Sequence, residues 1–159
     1  GASAPDLAAP LEFRHILVPL DGSQPAEQTL ERTIAFGRQW NAAYALIQAI
    51  DLQFEEAIAT LAPVPMSQSE VDTEAAQSRV YLEQIAQPLR TQGLEVTTEV
   101  LLGTPLANVI LNYAAEQHMD LIAIKTHGRS GFTRLVLGSI ADKVLRAAPV
   151  PVLLHGPTV

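Results

Sequence analysis

Cysteine is absent from the 159-residue chain. That absence removes disulfides, thiolate metal sites and cysteine nucleophiles together, and leaves the redox compartment open. Charged residues are sparse at 17% and aromatic ones at 5%, so the chain does not read as a charged, disordered tail. No apolar run approaches the roughly 20 residues that cross a bilayer, so no membrane-spanning helix and no membrane partner are expected. The opening Gly1-Ala2-Ser3-Ala4-Pro5 has neither a charged start nor an apolar stretch after it. It reads as part of a flexible tail over residues 1–12 and not as a signal peptide, in keeping with a cytoplasmic protein. Three chemical signatures are missing as well. No G-x-x-x-x-G-K-[ST] segment exists, and no G-x-G-x-x-G follows the first apolar run, which argues against a Walker-type loop and the usual dinucleotide fold. Ser130, within Gly128-Arg129-Ser130-Gly131, is not in the G-x-S-x-G setting of a hydrolase nucleophile.

What is present suits one domain with a real core, placed at residues 13–156: 48% of the chain is hydrophobic. The net charge of -7 argues against binding long nucleic acid. Yet five of the ten basic residues (Lys125, Arg129, Arg134, Lys143, Arg146) lie between positions 125 and 146 against one acid, Asp142, a local charge of +4. Such a patch suits a small polyanion, or is only the solvated face of a helix.

Short apolar runs alternate with helical periods. Ile16-Leu17-Val18-Pro19-Leu20 reads as a strand, and Ser23 as the cap of a helix that carries Pro25 in its first turn and runs to Trp40. Tyr44 to Ile50 is a second strand. Residues 51–70 hold Pro63 and Pro65 with no clean period and read as a loop or lid. A second helix from Val71 ends near Pro88 and Gly93, and a third strand holds Val96, Val100 and Leu102. A third helix starts at Thr104-Pro105, and Leu121 to Ile124 form a fourth strand. A fourth helix covers Leu137 to Ala147, and a last strand starts at Pro149. The alternation predicts an α/β fold with a parallel sheet and helices on both faces. Ligands in such sheets sit beyond the carboxyl ends of the strands, here at Asp21-Gly22-Ser23 and Lys125-Thr126-His127-Gly128.

After the fourth strand, Gly128 is followed nine residues later by Gly138-Ser139, directly before a helix. Glycines let backbone N–H groups approach a ligand, and a helix N-terminus adds unpaired donors and a positive dipole end. Ser139 can cap that helix and donate to a phosphate oxygen. The segment is an anion cradle or an ordinary strand-to-helix loop.

At three places the chain resembles the universal stress proteins: Ile16 through Ser23, Thr126-His127-Gly128 through Gly138-Ser139, and Pro149-Val150-Pro151-Val152. The resemblance implies a single open five-stranded parallel sheet in the order 3-2-1-4-5, often dimeric through the last strand, here residues 150–155. It also implies ATP binding, or AMP or ADP, in the branch with G-x-x-G-x9-G-[ST], Mg²⁺ entering through the phosphates. On that pattern Gly128, Gly138 and Ser139 match phosphate-binding positions, with His127 and Arg129 alongside and Ile140 following. Asp21, after Pro19 and Leu20, matches an acid against the nucleoside, and Ala49 matches a backbone contact to adenine. Lys125 departs from the pattern, standing where the motif has its first glycine; its ammonium closes the ribose pocket or turns toward the phosphates.

Asp21 serves a ribose or cation, or merely satisfies its own turn. His15, His118 and His155 lack metal-ligand spacing, and Trp40, Tyr81 and Tyr113 read as packing residues. The leading function is an adenine-nucleotide-binding stress or signalling protein. A slow ATPase or nucleotidyl transferase is the enzymatic alternative, but hydrolysis needs a water-positioning group and a charge-stabilising partner, and Asp21 and Asp51 do not form an evident pair. The third reading is a dimerisation module that no longer binds nucleotide.

Overall fold

A computed structural model describes residues 10–54, 64–126 and 138–156. Ile16, Leu17 and Val18 are fully buried, because β1 (His15–Pro19) is the central strand of the sheet and neither of its faces meets water. On one side β1 pairs in parallel with β2 (Ala43–Asp51), which pairs with β5 (Val96–Gly103). On the other it pairs with β6 (Leu121–Lys125), which pairs with β7 (Val152–His155). The order β5-β2-β1-β6-β7 is the expected 3-2-1-4-5.

Alternation along each strand divides the core. Ile16, Val18 and Leu46 pack with Ala26, Leu30 and Ile34 of α1 (Gln24–Gly37) and Leu82 and Ala86 of α2 (Gln68–Thr91). Leu17, Ile47 and Ile122 face the other way, against Ala107 and Ile110 of α3 (Leu106–Glu116) and Ala141 and Val144 of α4 (Ser139–Ala147). Each fully buried Ile, Leu or Val of this kind contributes roughly 1.5–3 kcal/mol relative to exposure.

Ser23 caps α1 as expected, its side chain accepting from the Ala26 N–H at 3.4 Å. Several boundaries differ from the sequence reading, among them the end of α1 at Gly37, with a separate 3-10 turn over Arg38–Trp40, and the start of α3 at Leu106. Residues 51–70 are more than a loop: β2 runs to Asp51, the two-residue strands β3 (Gln53–Phe54) and β4 (Val64–Pro65) pair antiparallel, and α2 begins at Gln68. That helix passes through Pro88 to Thr91, and Gly93 follows it with φ 90°. Gly138, extended at φ -63° and ψ 160°, is the N-cap of α4, so Ser139 is the first helical residue and not the cap. β7 starts at Val152, because Pro149 and Pro151 have no N–H to give a ladder.

Candidate functional site

From β1 the chain winds outward through β2 to β5, then returns across the sheet to β6 and β7. The connection direction therefore reverses between β1 and β6, and a crevice is expected beyond their carboxyl ends. A cavity of about 100 Å³ opens there, lined by Pro19 at the end of β1, Leu20 and Asp21 after it, Ala49 of β2, Ile124 and Lys125 of β6, Leu106 and Ile110 of α3, and Ile140 and Ala141 of α4. Its walls are mostly apolar, and Asp21 and Lys125 are its charged members.

The turn after β1 is tied down from several directions. Gly22 takes φ 80°, a region that suits glycine. Asp21 Oδ1 accepts from the Ser23 backbone N–H at 3.0 Å and from the Ser23 hydroxyl at 2.5 Å. Lys125 Nζ donates to Asp21 Oδ2 at 2.5 Å and to Ser23 Oγ at 2.8 Å. The Lys125 side chain is only 17% exposed and that of Asp21 52%. Burial raises the Asp21 pKa, but the Lys125 and Ser23 hydrogen bonds and the Lys125 charge outweigh it and hold the carboxyl below its usual range. The Asp21 carboxyl therefore stays ionised at neutral pH. From α2, the Tyr81 hydroxyl donates to Glu27 Oε1 at 3.1 Å, with burial and that carboxylate raising the phenol's pKa.

Two helices begin at the cavity without side-chain caps. Leu106 opens α3 after Pro105, and Ser139-Ile140 open α4 after Gly138. Their first backbone N–H groups have no helical acceptors, so donors and the positive end of each helix dipole are gathered on one side of the cavity.

Of the residues singled out from sequence, Pro19, Leu20, Asp21, Ala49, Lys125 and Ile140 line the one cavity, and Gly138 and Ser139 stand directly before Ile140. His127, Gly128 and Arg129 lie outside the described residues. The Lys125 ammonium bonds the turn after β1. Asp51 does not join Asp21. Its Oδ1 accepts from the Gln53 N–H at 3.0 Å and the Thr104 hydroxyl at 2.6 Å, holding the ends of β2 and β5. The histidines stay apart: His15 Nδ1 is 3.4 Å from Asp120, His155 Nε2 is 3.3 Å from Thr33 Oγ1, and His118 sits in a turn at φ 53°. The sequence reading missed Leu106, Ile110, Ile124 and Ala141 as cavity walls. The helix starts after β5 and before β7 were the signal that would have found the three helical ones.

The comparisons with known proteins agree on a family. Residues 12–155 match the universal stress protein family. A universal stress protein of Methanocaldococcus jannaschii is 28% identical over 145 residues, which are 89% of this chain and 81% of the relative. Among solved structures, a universal stress protein from Lactobacillus plantarum superposes with a TM-score of 0.70 at 24% identity, over 90% of this chain and 97% of that one. Two further structures share the fold at 18% identity, each over 91% of this chain and 98% of the other. One is a universal stress protein in complex with cAMP (TM-score 0.65), the other is from Archaeoglobus fulgidus in complex with dAMP (TM-score 0.61). With its sheet order, its switch-point cavity and this match across nearly its whole length, the chain belongs to the universal stress protein family.

Proposed function

We propose that the chain binds an adenine nucleotide in the switch-point cavity and serves as a cytoplasmic stress-response or signalling protein whose ligand state alters its shape or partners. The observation that carries the reading is the meeting, at one place, of an apolar-walled cavity with the uncapped start of α4. In this reading the base lies against Pro19, Ala49, Leu106 and Ile124, and the ribose approaches Asp21 and Lys125. The phosphates take the backbone donors of Ser139 and Ile140, where the helix dipole favours an anion. His127, Gly128 and Arg129 belong to the phosphate set by the motif they match. The cAMP and dAMP held by two relatives support an adenine mononucleotide core to the ligand, with ATP and ADP as its longer forms.

Calorimetric titration with ATP, ADP and AMP tests this. Saturable heat is expected, with affinity reduced roughly tenfold or more in Gly138→Val, whose branched side chain crowds the backbone donors at the helix start. Absence of heat with all three nucleotides overturns the reading. The outcome would then favour the dimerisation module without nucleotide, a reading that draws on the Lys125–Asp21 pair, since that pair satisfies both charges without a ligand.

We also propose a homodimer through residues 150–155. β7 pairs with β6 along one edge and with no other strand among the described residues, and Val152, Leu153 and Leu154 are all half-buried. An apolar edge of this kind is stabilised by a second copy of itself.

A further inference from the structure

A nucleoside phosphate brings two or more negative charges, which a binding site meets with a metal ion or with its own cations. The carboxylate on this cavity is Asp21, and both of its oxygens are occupied, Oδ1 by Ser23 and Oδ2 by Lys125. A magnesium ion held by Asp21 would have to expel the ammonium from its hydrogen bond, leaving two cations facing each other beside the N-terminus of α1. Among the described residues no group of three or more His, Asp or Glu side chains is arranged to hold a metal. The described residues do not fit a metal held by the protein.

Lys125 offers what the carboxylate does not. It stands at the end of β6, largely shielded from water, and lines the cavity. Its position is fixed by two acceptors, Asp21 Oδ2 and Ser23 Oγ. An ammonium carries three N–H donors, so these two bonds leave one for a ligand oxygen. Fixing the ammonium before the ligand arrives spares the ordering of a long side chain on binding. Ser23 also accepts from the Ala26 N–H at the start of α1, so the same hydroxyl ties the cation to the helix that packs under the turn.

We propose that Lys125 is the resident cation of this site, filling the charge role of a divalent ion, so that the chain takes the metal-free nucleoside phosphate. The proposal rests on the nucleotide reading above and adds to it the ionic form of the ligand. Asp21 is the positioning residue in this arrangement: its carboxylate holds the ammonium in place.

The test is calorimetric titration of the full chain with ADP, once in EDTA and once in excess MgCl₂, for the wild type, Lys125→Gln and Lys125→Arg. Wild-type binding in EDTA is expected to be at least as tight as in MgCl₂. Lys125→Gln should lose roughly tenfold or more in EDTA, as expected for removal of a charge-assisted contact. It should lose less in MgCl₂, where the metal carried by ADP restores the missing charge. Lys125→Arg, which keeps the charge, should stay within a few-fold of wild type in EDTA and decides the matter if circular dichroism finds Lys125→Gln unfolded. Wild-type binding that is tenfold weaker in EDTA than in MgCl₂, or a folded Lys125→Gln that binds ADP in EDTA as the wild type does, overturns the proposal while leaving nucleotide binding intact. No heat from the wild type in either buffer overturns both readings together.

Discussion

A Cβ added to Gly37 would stand 2.3 Å from the Tyr44 hydroxyl oxygen and 3.0 Å from Ile16 Cδ1. Tyr44 is buried and its hydroxyl donates to the Ile34 carbonyl at 3.2 Å, so the ring cannot retreat without breaking that bond. Gly37→Ala is expected to destabilise the fold by about 1–3 kcal/mol, the cost of overpacking a filled site, read as a lower midpoint in thermal or urea unfolding. An unchanged midpoint would mean that Tyr44 yields freely. At this scale the sequence was informative about residue types and silent about partners. That Asp21 and Lys125 both belong at strand ends followed from the apolar runs before them. That they bond each other across 104 positions did not, because pairing between β1 and β6 is set by the three-dimensional order of strands.

The helix α2 illustrates how an element can be hidden at its start and plain in its middle. Val71, Ala75, Leu82 and Ala86 supply its buried stripe, and their spacing is visible in the chain. Its first turn is polar and follows two prolines, so periodicity gives no sign of it. The sign is chemical: the Ser67 side chain accepts from the Glu70 N–H at 3.2 Å, and Glu70 Oε2 accepts from the Ser67 N–H at 2.7 Å. This is a capping box, spelled in the sequence as Ser67-Gln68-Ser69-Glu70. Ser67→Ala should cost about 1 kcal/mol, measured by urea unfolding, and faster hydrogen exchange in the first turn of α2 should accompany it. Equal stability and exchange would mean that the box adds nothing beyond the packing of Val71. The cavity shows the same division between local and distant information. Leu20, Asp21 and Lys125 were legible from strand ends, whereas Ile124 of β6 was not singled out and Leu106 and Ile110 enter because α3 crosses back over β2.

Across the whole molecule, the two-faced core was legible in runs that are apolar from Ile16 to Val18 in β1 and from Leu121 to Ile124 in β6 and half-polar in β5, which lies at an edge, whereas the strand order came from the family resemblance. The opposite edge, β7, carries the dimer prediction. Light scattering at micromolar concentration should give twice the chain mass, and a monomer mass would count against pairing through residues 150–155. Phe13, Phe36 and Trp40 form another feature of this scale. Their rings stack in a cluster, with Trp40 edge-on to Phe13 at 5.1 Å and to Phe36 at 4.9 Å between centroids. The α1 helix starts beside the cavity turn and ends just before Trp40; its 14 residues span about 20 Å at the helical rise. The lone tryptophan of the chain is therefore an optical reporter at the pole opposite the cavity. Its emission follows the integrity of the fold without direct quenching by a nucleotide, and any change on titration would measure how far the binding event travels through the sheet.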